Sequence, residues 1–290
     1  SEIWVDVDVF EQQIDWVRGR ERLAGGPRNV LVIGASGGYG LPSRIAAAFG
    51  AGARTLGVSL EKAPTERKTG TAGFYNNRAF EAAAEAAGLW ARTLDGDAFS
   101  DDLKREAVDV IREEMGSIDL VVYSLAAPVR TDPRTGEQWR SVIKPVGETV
   151  RMKTLDVDRG EVHELDLEPA TDAEIEATVK VMGGEDWERW IDALAEAGVL
   201  APDCRTVAYT YIGSELTWPI YWHATLGKAK EDLDRAAANL HARLSPTGGT
   251  GRVAVLKCVT TQSSAAIPAV PLYASILFRV MKDQGLHEDC

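Results

Sequence analysis

Asn29-Val-Leu-Val-Ile33-Gly34-Ala-Ser-Gly-Gly38-Tyr-Gly40-Leu-Pro-Ser43 is the stretch whose reading decides the fold. Its first five residues are almost wholly apolar, as expected of a parallel strand buried on both faces. A glycine turn follows at once, and Leu41 to Phe49 then reads as helix. Three of the glycines have a physical task. Gly34 permits a tight turn, Gly38 lets backbone come close to a pyrophosphate, and Gly40 lets the helix pack on the strand. The helix N-terminus then directs its unpaired N–H groups at the anion. Glycine-rich turns are common in isolation. A strand before this one and a helix after it are the context that makes it a nucleotide site.

Outward from this turn the pattern repeats. Residues 11–23 read as an amphipathic helix ahead of it, broken by Gly25-Gly26-Pro27. Residues 53–60 form a second strand that ends at Leu60-Glu61, about where a carboxylate accepts from a ribose 2′-hydroxyl and repels a 2′-phosphate. A solvated strand-end glutamate is the alternative, and Lys62, Arg67 and Lys68 lie close enough to soften the discrimination. An alanine-rich helix over about 77–87 and a strand over 89–94 lead to Asp97-Ala98. There Asp97 either accepts from an adenine amino group or simply begins the turn. Ser100, with Asp101 and Asp102 behind it, makes a good helix N-cap. Ile118–Tyr123 is a fourth strand, and the small residues after it, around Leu125 and Ala126, would let backbone approach a nicotinamide ribose. This alternation predicts an α/β chain: a doubly wound, parallel Rossmann-type sheet with ligands at the strand C-termini.

Regular alternation stops after residue 128. A hairpin is expected from Thr149–Leu155 and Val162–Leu167 around Asp158-Arg-Gly160, with His163 facing water. Helices are expected near 172–181 and 185–198. We read 1–290 as one enlarged dinucleotide-binding domain, with a hairpin-plus-helix insertion at about 128–200 on the substrate side. Arg130, Arg134, Arg140, Lys144, Arg151 and Lys153 concentrate positive charge there. Such residues are usually a solvated face, although an acidic carrier protein or a coenzyme A phosphate would want them.

A strand at 207–212 then leads into Tyr211-Ile-Gly-Ser-Glu-Leu-Thr-Trp-Pro-Ile-Tyr221-Trp-His-Ala-Thr-Leu-Gly-Lys228-Ala-Lys230 and a helix over about 225–243. A free tyrosine, with a pKa of about 10, is a poor acid. A neighbouring ammonium lowers that value and suits the hydroxyl to a developing oxyanion. Tyr221 and Lys230 are nine positions apart, two and a half turns at about 3.6 residues per turn, so on one straight helix they would face opposite sides. If both serve one site, Tyr221 must precede the regular helix. Pro219 biases the residue before it away from helical backbone, and Thr225 is the expected N-cap. The last strand is expected over 252–259, ending in Val259, Thr260 and Thr261, and the last helix over 270–285.

Bulk properties bound the function. The chain has 290 residues, 45% of them hydrophobic, and a net charge of −12. That charge argues against non-specific binding to nucleic acid and against an anionic membrane surface. No apolar run approaches the ~20 residues of a membrane-spanning helix, and no signal-peptide pattern opens the chain. The three cysteines, Cys204, Cys258 and Cys290, lack metal-ligand spacing. A reduced, cytoplasmic setting is expected. Ser1 and the uncapped end at Cys290 read as positions within a longer protein.

The glycine spacing resembles that of short-chain dehydrogenase/reductases. The wider resemblance is carried by Gly34-Ala-Ser-Gly-Gly-Tyr-Gly-Leu41, Glu61-Lys62, Thr71-Ala-Gly-Phe-Tyr-Asn-Asn77, Tyr123-Ser-Leu-Ala126, Leu216-Thr-Trp-Pro-Ile-Tyr221-Trp222 and Gln262-Ser-Ser-Ala-Ala-Ile-Pro268. Together these are similar to the V-type bacterial trans-2-enoyl-CoA/acyl-carrier-protein reductases, of which Tyr-x8-Lys is a hallmark. The first ten residues, Gly37 and Pro42 depart from the family pattern, and the family's chain extends past residue 290. The resemblance implies a mostly monomeric enzyme that uses NADH to saturate a 2-enoyl thioester of coenzyme A or acyl carrier protein. It also implies roles: Tyr221 as proton donor, Lys230 at the cofactor, Tyr211 at the substrate, Glu61 selecting NADH. Backbone contacts to NAD would come from Gly34, Ala35, Ser36, Gly37, Gly38, Tyr39, Leu60, Glu61, Asp97, Ala98, Leu125, Ala126, Val259, Thr260 and Thr261, with no metal. Two rivals remain. A carbonyl reductase of short-chain type would place Tyr and Lys four apart on one helix, and a non-catalytic NAD-binding redox sensor needs no Tyr-Lys pair.

Overall fold

The computed structural model describes residues 7–257, 260, 264 and 267–287. In chain order the first half comprises α1 (Val7–Arg18), β1 (Asn29–Ile33), α2 (Gly40–Ile45, continued to Ala51 by a π-type turn), β2 (Arg54–Ser59), α3 (Ala72–Ala86), β3 (Ala91–Asp95), α4 (Asp101–Val110, likewise continued to Met115) and β4 (Ile118–Tyr123). The insertion supplies β5 (Val129–Thr131), β6 (Gln138–Arg140), β7 (Val150–Asp156), β8 (Glu161–Leu167), α5 (Asp172–Met182) and α6 (Glu185–Glu196). Then come β9 (Leu200–Thr210), α7 (Thr225–Leu244), β10 (Thr250–Val255) and α8 (Val270–Asp283).

Six strands form one parallel sheet in the order β10-β9-β4-β1-β2-β3. The order steps outward from β1 in both directions, the doubly wound arrangement the glycine turn predicts. β1 is buried on both faces, and its alternation divides the core. Leu31 and Ile33 join Leu103 and Ala107 of α4, Trp187 and Trp190 of α6 and Leu233 of α7. Val30 and Val32 pack with Ala47 and Val122, and a neighbouring cluster joins Ile14, Ile45 and Phe80 from α1, α2 and α3.

One buried cation pins α2 to the sheet. Arg44 is fully buried and donates to Thr55 Oγ1 (3.2 Å), Thr93 Oγ1 (2.9 Å) and the Arg92 carbonyl (2.8 Å). Its guanidinium lies 4.2 Å from the Phe80 ring centroid. Gly57 of β2 makes room for it, since a Cβ there would stand 2.6 Å from Arg44 Nη1. Burial lowers the Arg44 pKa to about 10, so the group stays a cation at neutral pH.

Several boundaries differ from the sequence reading. α1 runs from Val7 to Arg18 rather than over 11–23, because the chain turns at Gly19 and Leu23 N–H then donates to the Gly50 carbonyl (3.2 Å). α3 starts at Ala72, five residues before the expected 77, despite Gly73 and two asparagines in its first turns. β9 begins at Leu200, seven residues before the expected 207, and ends at Thr210. Ile118 pairs with Leu200 and Leu120 with Arg205, so β9 carries extra residues, and Pro202 lies in that irregularity. β10 ends at Val255 rather than 259. The expected β7–β8 hairpin is present with its turn at 157–160, and His163 is exposed. A second hairpin, β5–β6, was not anticipated, because its three-residue strands are too short to show a period. It is held to α6 by Arg189, which pairs with Asp132 at 3.1 Å.

Candidate active site

Gly34 and Gly38 both adopt positive φ (85° and 54°), which a side-chain-bearing residue rarely does. A Cβ on Gly34 would overlap the Ser124 carbonyl just beyond β4, and one on Gly40 would overlap the Gly34 carbonyl. These two glycines therefore serve close backbone packing. Gly38 is different, because nothing lies within 4 Å of where its Cβ would be. Open space over a glycine between a buried strand and a helix N-terminus is the cradle a pyrophosphate needs. Residues 34–39 thus fit a dinucleotide.

Of the other expected cofactor residues, Glu61 lies against this turn. Both Glu61 carboxylate oxygens are engaged, Oε1 by the Ser36 hydroxyl (2.5 Å) and Oε2 by the Thr71 hydroxyl. Glu61 N–H donates to Asp95 Oδ1 at 2.7 Å. Leu60 is 71% exposed, so its backbone rather than its side chain is what this end of the strand offers. Asp97 begins a turn, accepting from Phe99 N–H at 3.0 Å. Ala98 is buried and its carbonyl already receives Trp190 Nε1 (3.0 Å) and Lys104 Nζ (2.8 Å), leaving that acceptor committed to the protein. Leu125 is half-buried and Ala126 exposed, beside the Gly34 contact. Thr260 is exposed, and Val259 and Thr261 lie outside the described residues.

Tyr221 lies outside the regular helix, as the nine-residue spacing requires. It follows a single 3-10 turn over Trp218–Ile220, with φ −123° and ψ −75°. Helix α7 begins at Thr225 and its N-cap is Ala224, not Thr225. The Thr225 hydroxyl donates instead to the Val142 carbonyl (2.5 Å), and its N–H to the Lys144 carbonyl (3.0 Å). The entry loop is thus fastened to the insertion, an attachment extended by Val146 N–H to His223 carbonyl at 3.2 Å. Tyr221 is fixed from the other side by Gly227, whose N–H donates to the Tyr221 carbonyl at 2.9 Å. A Cβ on Gly227 would overlap the Trp222 carbonyl, so this loop closes over the helix only with glycine there. Neither Gly227 nor the Thr225 tether was anticipated. A glycine in a first helical turn, after a proline-bearing entry, is the signal that marked it.

Lys230 and Tyr221 each contact a tyrosine at the C-terminal end of β9 or just beyond it. Lys230 Nζ donates to the Tyr209 carbonyl at 3.3 Å. Tyr211, two residues on, packs edge-on against the Tyr221 ring with centroids 5.3 Å apart. Tyr209 ties this end of β9 to the glycine turn. Its hydroxyl is 2.6 Å from Ser43 Oγ, and its ring meets Tyr39 edge-on at 6.0 Å. Tyr39 in turn donates to the Lys257 carbonyl beyond β10. Desolvation lowers the Lys230 pKa to about 8, partly opposed by Asp234. Lys228 points elsewhere, exposed and paired with Glu231 at 2.9 Å.

Three of the six basic residues of the insertion are already engaged, while Arg134, Arg140 and Lys153 are exposed. Arg130 is fully buried, donating to the Lys180 carbonyl (2.6 Å) and paired with Glu185 (3.4 Å). Lys144 pairs with Glu174 and Arg151 with Asp166, both at 2.6 Å. An open concavity of about 830 Å³ lies at the opposite end of the sheet, against Arg28, Asn29 and Arg54, and holds none of the expected site residues. Cys204 is buried, and its thiol is pushed up to about 12 by desolvation, which removes it from nucleophilic chemistry.

Comparison with known proteins adds the following. Residues 7–66 match the NAD(P)H binding domain of trans-2-enoyl-CoA reductase, and residues 68–290 match the trans-2-enoyl-CoA reductase catalytic region. The enoyl-[acyl-carrier-protein] reductase [NADH] of Saccharophagus degradans is 59% identical over 96% of this chain and 71% of its own length. The trans-2-enoyl-CoA reductase of Clostridium acetobutulicum, solved with NADH, superposes with a TM-score of 0.93 at 43% identity, over 98% of this chain and 72% of that one. The Treponema denticola trans-2-enoyl-CoA reductase, solved with NAD, gives 0.88 at 50% identity, over 98% and 70%.

Proposed function

The chain belongs to the trans-2-enoyl-CoA reductase family, and from that premise we propose that Tyr221 is its proton donor and Lys230 the residue that seats its cofactor. The reaction is the NADH-dependent reduction of the 2,3 double bond of a trans-2-enoyl thioester in fatty acid synthesis. Bound NADH supplies the hydride, which reaches the β-carbon of the thioester. Charge then accumulates on the thioester oxygen, and Tyr221 donates a hydrogen bond or proton to it. Lys230 holds the nicotinamide ribose and keeps positive charge near the phenol. Tyr211 borders the acyl group beside Tyr221, and the glycine turn at 34–40 takes the pyrophosphate. The insertion at about 128–200, within one enlarged dinucleotide-binding domain, forms the substrate side.

The observation that supports this reading is the break in helical geometry between Tyr221 and Lys230, with Tyr221 packed on Tyr211 and Lys230 on the Tyr209 carbonyl. A short-chain carbonyl reductase would need its tyrosine and lysine on one helix face, and this chain has no such pair there. Coenzyme A and acyl carrier protein share the enoyl thioester, and the substrate is assigned at that level. A monomer in the cytoplasm is the setting we propose. Among the described residues no helix is long and apolar enough to cross a membrane, and the net charge of −12 disfavours nucleic acid.

The two nearby lysines test the assignment. Lys230→Ala is expected to weaken NADH binding by about tenfold or more, as loss of a charge-assisted contact does. Lys228→Ala, which removes only an exposed pair, should change it by less than about twofold. Titrating each variant with NADH by fluorescence gives the ranking, and the reverse order would assign the wrong lysine.

A further inference from the structure

We propose that Thr71, Ser36 and Gly73 form a seat that fixes the Glu61 carboxylate, and that this seat sets the discrimination against a 2′-phosphorylated cofactor; the proposal rests on the reading of Glu61 as the ribose-binding residue. Thr71 stands at the N-cap of α3 with the extended backbone that capping requires (φ −72°, ψ 154°), yet its side chain caps no helical N–H. The hydroxyl is diverted. It donates to Glu61 Oε2 and accepts from Lys62 N–H at 3.0 Å. Ser36, in the glycine turn, donates to Glu61 Oε1 at 2.5 Å, and its carbonyl receives Asn76 Nδ2 of α3 at 2.9 Å.

Gly73 completes the seat by absence of a side chain. A Cβ there would overlap Glu61 Oε1 and stand 2.8 Å from Ser36 Cβ. The carboxylate therefore lies against the first turn of a 15-residue helix, whose partial positive charge favours the anion. Glu61 N–H is held separately by Asp95. A carboxylate tethered at both oxygens cannot swing away from an approaching phosphate, so its repulsion stays in place. The Ser36 and Thr71 hydroxyls both donate to Glu61, so these three side chains turn acceptor lone pairs outward. Ribose hydroxyls can donate to those; a 2′-phosphate, with acceptor oxygens of its own, cannot.

The test measures dissociation constants for NADH and NADPH by tryptophan fluorescence, with 2′-AMP against AMP as a second pair. Thr71→Val and Gly73→Ala are each expected to lower the NADPH-to-NADH ratio of Kd by about tenfold, the scale of one hydrogen bond to a charged group. Thr71→Ser, which keeps the hydroxyl, should hold the wild-type ratio. Gly73→Ala separates this role from a structural one, because alanine is the better helix former. A Gly73 that serves only packing predicts a shifted melting temperature with an unmoved ratio. Glu61→Gln is the reference. If it moves the ratio while Thr71→Val and Gly73→Ala stay within about twofold of wild type, the seat is wrong and the reading of Glu61 stands. If Glu61→Gln leaves the ratio unmoved as well, both are overturned.

Discussion

Tyr221→Phe is expected to lower kcat with an enoyl thioester by about two to three orders of magnitude, the usual cost of losing one oxyanion donor. The substitution removes only the hydroxyl. The edge-on contact with Tyr211 is made by the ring, and the Gly227 N–H bond goes to the backbone carbonyl, so both survive the change. NADH affinity should hold, since the cofactor contact is assigned to Lys230. Steady-state rates alongside NADH titration check this. A kcat within about threefold of wild type would remove Tyr221 from the chemistry.

The second large effect is on stability and concerns residues with no part in the sequence reading. Lys104 and Asp186 are almost wholly buried and meet at 2.8 Å. Lys104 Nζ also donates to the carbonyls of Ala98 (2.8 Å) and Phe99 (3.0 Å), and Tyr123 donates to the second Asp186 oxygen at 3.1 Å. Burial pushes the Asp186 carboxyl up against the pull of Lys104, and burial pushes the Tyr123 phenol up further. The cluster joins the Asp97–Phe99 loop, the end of β4 and the first turn of α6. Asp186→Ala strands the Lys104 ammonium in the core and is expected to cost about 3–5 kcal/mol of unfolding free energy. Replacing both by Lys104→Met and Asp186→Leu should recover most of that loss. Urea denaturation gives both values, and a loss under about 1 kcal/mol for Asp186→Ala would mean the pair is solvated.

What was legible in the sequence follows from period and punctuation. β1 and β4 are short, largely apolar runs closed by turn residues, and α5, α6 and α7 carry an apolar stripe at helical spacing. The doubly wound, parallel class of the sheet followed from their alternation. The irregular entry at Tyr221 was legible because nine residues and a proline leave few geometries open. Side chains that act against their usual character were not legible. Arg130 reads as part of a solvated basic face and the sequence reading assigns nothing to Arg44 or Lys104, yet each is buried because carbonyls, hydroxyls or carboxylates from distant segments surround it. Thr71 stands at a helix N-cap that the sequence reading places five residues later, and its hydroxyl serves Glu61 instead. Pro202 argues against a strand, and β9 accommodates it in a register shift that only the partner strand reveals. These features depend on long-range partners, which spacing along one chain does not encode.

Loss of NADH absorbance on adding crotonyl-CoA tests the central claim most directly. The account predicts that this chain consumes one NADH for each saturated thioester formed, and that Tyr221→Phe nearly abolishes the consumption while still binding NADH. An enzyme that binds NADH but oxidises none of it with enoyl thioesters of either coenzyme A or acyl carrier protein would contradict the account.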